Sequence, residues 1–249
     1  MSRRELLPGI AGVVTVLLAW ELVARGGGVP AFYLPPATRV AKTLADTAFL
    51  NFSIRQLALT ILRAMGGYAL AAAIAIPLGI AIGRIPLVHA VTRPILEFLR
   101  PLPASGIAPV ALLFLGIGSG LHVFVVTFGS LWPILVASIQ GASTVDRRYL
   151  ETARLLRLDQ RRTLVSVVFP AALPHIMAGL RTSLSVALIL AVTVEMIVGS
   201  NGIGFAILDF ERGFRVAEMY GELMILGVAG VILDATFRLL QHKALYWVY

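Results

Sequence analysis

Long apolar runs separated by short basic clusters dominate the pattern of the chain. A helix needs about 20 apolar residues to cross the ~30 Å hydrocarbon core of a bilayer. The pattern predicts about six such spans, of which the first and last are weaker because acidic residues interrupt them. They lie at Leu6–Ala24, Ala64–Gly83, two within Pro101–Val145, Arg181–Val198 and Val216–Leu240.

Two stretches between these spans carry further structural signals. The run Pro101–Val145 contains no charged residue, and the glycines of Gly116–Gly120 near its middle predict a tight turn between two spans. Before the second span, Leu34-Pro35-Pro36 favours extended backbone. Apolar residues then recur at helical spacing, which predicts an amphipathic helix at the outer interface; they are Val40, Leu44 and Ala48.

Composition narrows the class of protein. The chain has 249 residues, of which 58% are hydrophobic and 14% charged, whereas soluble domains carry about 25% charged residues. A soluble enzyme and a disordered protein are therefore disfavoured, and the absence of cysteine excludes disulfides and thiolate metal sites. The net charge of +8 does not indicate nucleic-acid binding, because the basic residues stand in clusters between apolar runs.

Basic residues also predict the orientation. With a cytoplasmic N-terminus, 14 Lys and Arg fall in inner segments and 7 in outer ones, as expected from the positive-inside rule. We therefore expect a multi-pass membrane protein with both termini in the cytoplasm. The first apolar run lacks a small-residue cleavage site, which favours a retained span over a cleaved signal peptide.

The inner segment between the fourth and fifth spans is long and rich in arginine. Asp146 is expected to cap a short helix that runs to Leu156, and Asp159 a second helix that runs to Phe169, where Pro170 and Pro174 end it. A basic helical hairpin of this kind either sets the membrane topology or contacts a partner protein. The residues alone leave both interpretations open.

This segment resembles the cytoplasmic "EAA" loop of type I ATP-binding-cassette (ABC) importer permeases. Glu151 and Ala153 match that pattern, Thr152 stands for its middle alanine, and Pro170 matches its proline. Arg157 occupies the position of the pattern's glycine, so that Leu158-Asp159 is expected to break the helix instead.

The resemblance extends over about residues 34–245 and is closest to the nitrate/sulfonate/taurine branch of these permeases. Several short segments occur in the order typical of that branch. They are Leu34-Pro35-Pro36, Leu99-Arg100-Pro101-Leu102-Pro103, Phe114-Leu115-Gly116-Ile117-Gly118, Ala178-Gly179-Leu180-Arg181, Val194-Glu195-Met196 and Gly202-Ile203-Gly204.

The resemblance implies an all-α integral membrane protein with a type I (MetI-like) importer core. Residues 1–33 would form a cytoplasmic tail and the first span, and residues 34–249 the permease core, with the EAA loop at about 143–175. It also implies these partners: a second permease copy in a homodimer, two cytoplasmic ATPase subunits, an extracytoplasmic substrate-binding protein and membrane lipid. The protein would lie in the cell (inner) membrane. The residues that couple it to the ATPase would be Tyr149, Leu150, Glu151, Thr152, Ala153 and Arg154 of the docking helix, together with Arg157 and Pro170.

In this arrangement the chain itself is not an enzyme. The sequence contains no Gly-x-x-x-x-Gly-Lys-Ser/Thr phosphate loop, so we expect no cofactor in this chain and ATP and Mg²⁺ in the partner ATPase. The expected cargo is a small solute, either nitrate-, sulfonate- or taurine-like or a small heterocyclic metabolite. The alternative is a secondary transporter driven by an ion gradient, a class that tends to have inverted repeats and more spans.

Three residues are candidates for the pathway or a gate. Glu195 lies inside the fifth span, where a carboxylate is costly, and it either gates the pathway or accepts hydrogen bonds that lock the span. Ser105 and Gly106 lie in the proline-rich start of the third span, where irregular backbone is tolerated only in protein or beside a cavity. Separately, Gly79 and Gly83 have the spacing typical of close helix packing.

Overall fold

The structure is a computed structural model that describes residues 3–28 and 30–246, with side chains from residue 11 onward. All regular elements in these ranges are helices, which confirms the predicted all-α class. In chain order they are α1 (Arg3–Arg25), α2 (Ala37–Ala45), α3 (Thr47–Arg84), α4 (Pro86–Leu99), α5 (Ala104–Leu115), α6 (Ser119–Ser143), α7 (Arg147–Leu155), α8 (Gln160–Thr163), a π-helical turn (Leu164–Val168), α9 (Phe169–Val198), α10 (Ile203–Arg212) and α11 (Val216–Ala244).

Within the described ranges, four helical stretches are long and apolar enough to cross a membrane: α3, α6, the continuous stretch from α8 through α9, and α11. The pair α4 and α5 together forms a fifth apolar stretch that is bent by 90°. The predicted first span coincides with α1, but part of it lies outside the residues whose side chains are described. The predicted count of about six is therefore approximate.

The centre of the fold is the close packing of α6 between α3 and α9. A Cβ atom added at Gly79 of α3 would lie 2.5 Å from Cβ of Ser138, and one at Gly83 would lie 2.6 Å from the carbonyl oxygen of Ile139. These distances are too short for any side chain, so both glycines let α3 touch the backbone of α6. The predicted close packing at Gly79 and Gly83 is confirmed.

The same contacts give the helix directions. Gly67 lies against Val126 and Gly83 against Ala142, so α3 and α6 run parallel. Gly141 of α6 lies against Ala172 near the start of α9, which therefore runs antiparallel to α6. The ends of α3 and α6 and the start of α9 thus meet at one end of the bundle. We call it the basic end, because it carries Arg84, Arg100 and the arginines of residues 147–162.

The second span is longer than predicted. Helix α3 has 38 residues and includes residues 47–63, which the charge pattern had placed in the outer segment. The predicted amphipathic helix is present as α2, but it ends at Asp46, whose carboxylate caps α3 by accepting a hydrogen bond from the amide of Ala48 (2.9 Å). Ala48 consequently belongs to α3. The run of uncharged residues underestimated the helix because Arg55 and Arg63 lie within it.

The third span is not a simple membrane-crossing helix. Helix α5 has 12 residues, which corresponds to a length of about 18 Å, and it is too short to cross a bilayer alone. Pro101 and Pro103 separate it from α4, with which it forms the bent pair. The predicted turn is present, since the α5–α6 connection runs through Gly116 at a positive φ of 67°.

The inner loop differs from the predicted hairpin in its second arm. Helix α7 forms as predicted, with the Asp146 carboxylate accepting from the amide of Arg148 (2.9 Å), and Asp159 caps α8. The prediction that Pro170 and Pro174 end the second helix is wrong, because both lie within α9, which continues to Val198. Pro170 follows the π-helical turn, where the regular backbone ladder that its ring would disturb is already interrupted.

Arg157 makes the turn between α7 and α8, so the prediction that Leu158-Asp159 alone breaks the helix is wrong. Arg157 has a positive φ of 51°, its amide donates to the carbonyl of Arg154 (2.9 Å), and the amide of Leu158 donates to that of Ala153 (3.0 Å). This pair of bonds is the Schellman arrangement that usually has glycine at its left-handed position. The chain keeps the turn with an arginine.

We expect the substitution Arg157→Gly to stabilise α7 by about 0.5–1 kcal/mol, because glycine adopts the left-handed conformation without the steric cost that a side chain incurs. Hydrogen exchange of the α7 amides measures this effect as slower local opening. The matched control, Arg154→Gly, lies within the helix and should speed exchange by a similar free energy. Faster exchange in Arg157→Gly would contradict the assignment of strain to Arg157.

Candidate functional site

Helix α7 is attached to the basic end of the bundle through one face. Leu150 packs against a buried cluster formed by the ends of α3 and α6 and the start of α9, which contains Ile80, Ala142, Val145, Val168, Ala172 and Ile176. Ala153 is 2% exposed. These two residues of the predicted docking helix therefore attach α7 to its own chain, Ala153 fully buried and Leu150 partly.

The other face of α7 is exposed and partly apolar. Glu151, Thr152 and Arg154 are exposed. Tyr149 is 61%, Leu155 84% and Leu156 67% exposed. The sequence reasoning missed the two leucines as docking candidates. The available signal was that they directly follow the matched motif on a helix that Asp146 was expected to cap. We call this exposed surface the α7 face; its six residues are Tyr149, Glu151, Thr152, Arg154, Leu155 and Leu156.

A groove of about 350 Å³ lies between α7 and the start of α9. Tyr149, Thr152 and Leu156 line one side, and Pro170 lines the other. Pro170 therefore lines this groove and does not end a helix. Arg157 lies at the turn that joins the two sides.

Glu195 is fully buried and fully hydrogen-bonded. Its Oε1 accepts from Nη1 of Arg63 (2.9 Å), and its Oε2 accepts from the hydroxyl of Thr60 (2.7 Å) and the amide of Gly204 (3.1 Å). Arg63 of α3 is 8% exposed, and sequence reasoning missed it as a partner because it was assigned to the outer segment. A buried carboxylate is tolerated when it is paired and hydrogen-bonded in this way.

This network fixes the start of α10 at the end of the bundle opposite the basic end. Arg63 also donates to the backbone carbonyl of Asn201 (3.1 Å), and the amide of Gly202 donates to the side chain of Gln56 (2.6 Å). Gly202 has a φ of 104°, and a Cβ there would lie about 2.2 Å from the Glu195 carboxylate. The segment after the fifth span is thus a packed helix, with Ile203 and Phe210 buried, and not a solvated loop.

A cleft of about 630 Å³ lies between α6, α9 and the α4–α5 junction. Its walls are mostly apolar or small, and Thr182 and Gln140 contribute polar groups. Among the described residues that line it, Arg100 is the only one with an ionisable side chain. The lining residues are Arg100, Leu102, Ala104, Gly129, Trp132, Pro133, Val136, Ala137, Gln140, Ala178, Gly179, Thr182, Val186 and Leu190.

None of the three pathway candidates is among the residues that line this cleft. Ser105 is half-buried and Gly106 exposed in the first turn of α5, next to Ala104, which does line the cleft. Glu195 lies five residues beyond Leu190, the last lining residue of α9, and its carboxylate contacts α3 and α10 instead of the cleft. The proline-rich start of α5 thus borders the cleft, as expected of irregular backbone at membrane depth.

We expect single substitutions in the buried ion pair to be strongly destabilising. Arg63→Met or Glu195→Gln leaves one buried partner without its counterpart, which typically costs about 3–5 kcal/mol. Thermal unfolding of the full chain in detergent measures the loss as a lower melting temperature.

The double substitution Arg63→Met with Glu195→Gln should lose less than the sum of the two single changes, because no uncompensated charge remains. The exposed pair Arg93–Glu97 provides the control, since Arg93→Gln should change stability by less than about 0.5 kcal/mol. Additive losses in the double variant would show that the pair is not coupled.

Comparison with known proteins identifies the family. Residues 73–245 match the family model described as "Binding-protein-dependent transport system inner membrane component". The chain is 30% identical to the bicarbonate transport system permease protein of Synechocystis, over 96% of this chain and 89% of that protein. It is 26% identical to the taurine transport system permease protein of Escherichia coli, over 98% of this chain and 90% of that protein.

A solved structure supports the same fold. The inward-facing MetNI methionine ABC transporter matches with a TM-score of 0.69 at 15% identity, covering 80% of this chain and 99% of the matched chain. The predicted type I importer fold is confirmed, and the ion-gradient-driven alternative is not supported. With its four to five apolar spans and its match over residues 73–245, the chain belongs to the binding-protein-dependent ABC importer permeases.

Proposed function

We propose that two copies of this permease face each other across their clefts and form the translocation pathway of an importer for small anions. Both termini lie in the cytoplasm, so that the basic end faces the ATPase subunits. The opposite end of the bundle, which carries α10, faces the binding protein. The distribution of Lys and Arg supports this orientation. The cleft of a single chain is open to the outside, which supports a pathway whose remaining wall comes from a second copy.

The α7 face is the proposed docking surface for the ATPase. Its exposure is the main observation that supports a coupling role for this chain. A capped, nine-residue helix that exposes Tyr149, Leu155 and Leu156 beside arginines has the mixed apolar and basic character of a protein-binding surface. Its inner face packs on the ends of α3, α6 and α9. A displacement of α7 by ATP-driven closure of the ATPases would therefore move the helices that line the cleft.

We expect Leu155→Ser to lower ATPase activity stimulated by the binding protein by about tenfold, because it removes an apolar side chain from the centre of the α7 face. The measurement uses the assembled transporter in lipid nanodiscs. Since Leu155 is 84% exposed, the melting temperature of the permease alone should not change.

Leu239→Ser in α11 is the matched control, because Leu239 is also largely exposed but lies outside the α7 face. It should leave stimulated ATPase activity unchanged. Normal coupling and normal co-purification of the ATPase in Leu155→Ser would overturn the docking role of the α7 face.

The cleft favours an anionic solute. Among the described residues that line it, only Arg100 has an ionisable side chain, and Gln140 and Thr182 add neutral hydrogen-bonding groups to the same walls. A guanidinium suits oxyanions because it presents several N–H donors in a plane. The relatives named for bicarbonate and taurine transport carry solutes with a carbonate or sulfonate group, which agrees with this choice.

We expect Arg100→Gln to lower uptake of the anion by about tenfold in proteoliposomes while leaving assembly with the ATPase intact. The solute is chosen among nitrate, bicarbonate and taurine, each of which carries a negatively charged oxygen group, by the melting shift that each produces in the binding protein. Arg93→Gln is the control, because Arg93 lies about two turns before Arg100 on α4 and outside the cleft. A solute without a negatively charged oxygen group, or unchanged uptake in Arg100→Gln, would contradict the anion assignment.

A further inference from the structure

Helix α4 carries an apolar stripe that nothing in the described chain covers. Leu87, Val91, Ile95 and Phe98 are between 53% and 74% exposed, and at 3.6 residues per turn they fall within about 80° of the helix circumference. No residue of α4 is buried. The stripe is therefore a continuous outward surface of large aliphatic and aromatic side chains.

The rest of α4 divides into two further faces. Val88 and Leu96 are half-buried against the core of the bundle. His89, Arg93, Glu97 and the following Arg100 are exposed, and their helical positions lie roughly opposite the apolar stripe. A helix that has one apolar face and one charged face, and packs on its own protein through a third, suits a boundary between hydrocarbon and water.

The position of α4 agrees with such a boundary. It follows directly on α3 at the basic end and makes an angle of 90° with α5. When α5 points into the membrane, α4 consequently runs along its surface. Its charged neighbourhood contains Arg84, Arg93 and Arg100 against the single carboxylate of Glu97, a positive balance that complements anionic lipid headgroups.

We infer that α4 lies in the lipid leaflet at the basic end, with its apolar stripe among the acyl chains and its charged face at the headgroups. In the orientation proposed above, this leaflet is the cytoplasmic one. A second copy of the chain is the competing occupant. Helix contacts between membrane proteins favour small residues, and α6 packs on α3 through glycines in this way, whereas the stripe consists of Leu87, Val91, Ile95 and Phe98.

Contact with lipid would restrict the movement of α4 and of the α4–α5 junction during transport. It joins the end of α3 to the start of α5, and its last turn leads into Arg100 at the mouth of the cleft. The leaflet would therefore hold the α4–α5 junction at a fixed depth while α7 and the bundle ends move. This role of α4 depends on its contact with lipid and not on which solute is transported.

The absence of cysteine makes a direct test possible, because one introduced thiol gives a single labelling site. Val91→Cys and Phe98→Cys place a fluorescent probe on the stripe, and His89→Cys places it on the charged face. Each variant of the full chain, assembled with its ATPase, is reconstituted in vesicles of phosphatidylcholine and phosphatidylglycerol with or without brominated acyl chains. Quenching by bromine reports contact with the acyl region.

We expect bromolipid quenching at residues 91 and 98 to exceed that at residue 89 by roughly threefold, with the reverse order for quenching by aqueous iodide. Equal bromolipid quenching at all three sites would overturn the inference. So would cross-linking of two Val91→Cys copies by a short bis-maleimide together with weak bromolipid quenching, since the stripe would then be an interface between copies. Quenching does not depend on the transported solute, so failure of the anion proposal would leave this result unaffected.

Discussion

The contact of α6 with α3 and α9 at backbone distance is the constraint on which the other features depend. Lipid supplies no hydrophobic force between helices, so close van der Waals packing and interhelical hydrogen bonds must hold them. Small residues make this possible at Gly79, Gly141 and Gly179, and the hydroxyl of Ser183 donates to the carbonyl of Ser130 (2.7 Å). Because α6 is held on both sides, its remaining surface is left to line the cleft.

The same packing connects the two ends of the molecule. At the basic end, Leu150 attaches α7 to the helix ends around Ala142 and Ala172. At the opposite end, the pair of Arg63 and Glu195 ties α3, α9 and α10 into one unit. A close-packed bundle shifts between discrete arrangements and does not deform gradually. The helices that line the cleft therefore lie between two rigidly attached ends.

Sequence patterns predicted the parts of this fold that depend on local physics. The all-α class, the caps at Asp146 and Asp159, and the glycine contacts of α3 each follow from residue type and spacing. The errors have a common origin, since charges and prolines were read as boundaries. Arg63 lies inside α3 because Glu195, 132 residues away in sequence, neutralises it. Pro170 lies inside α9 because a preceding turn had already loosened the helix. Neither compensation is visible locally.

The π-helical turn at Leu164–Val168 has a consequence for how the inner loop and the span can vary. Such a turn accommodates one residue more than the regular helix around it, which rotates everything on one side by about 100° relative to the other. The exposed face of α8 is thereby uncoupled from the face that α9 turns toward α6. An insertion or deletion of one residue at this turn would rotate α8 and the inner loop relative to α9. The packing of α9 against α6 would stay in register.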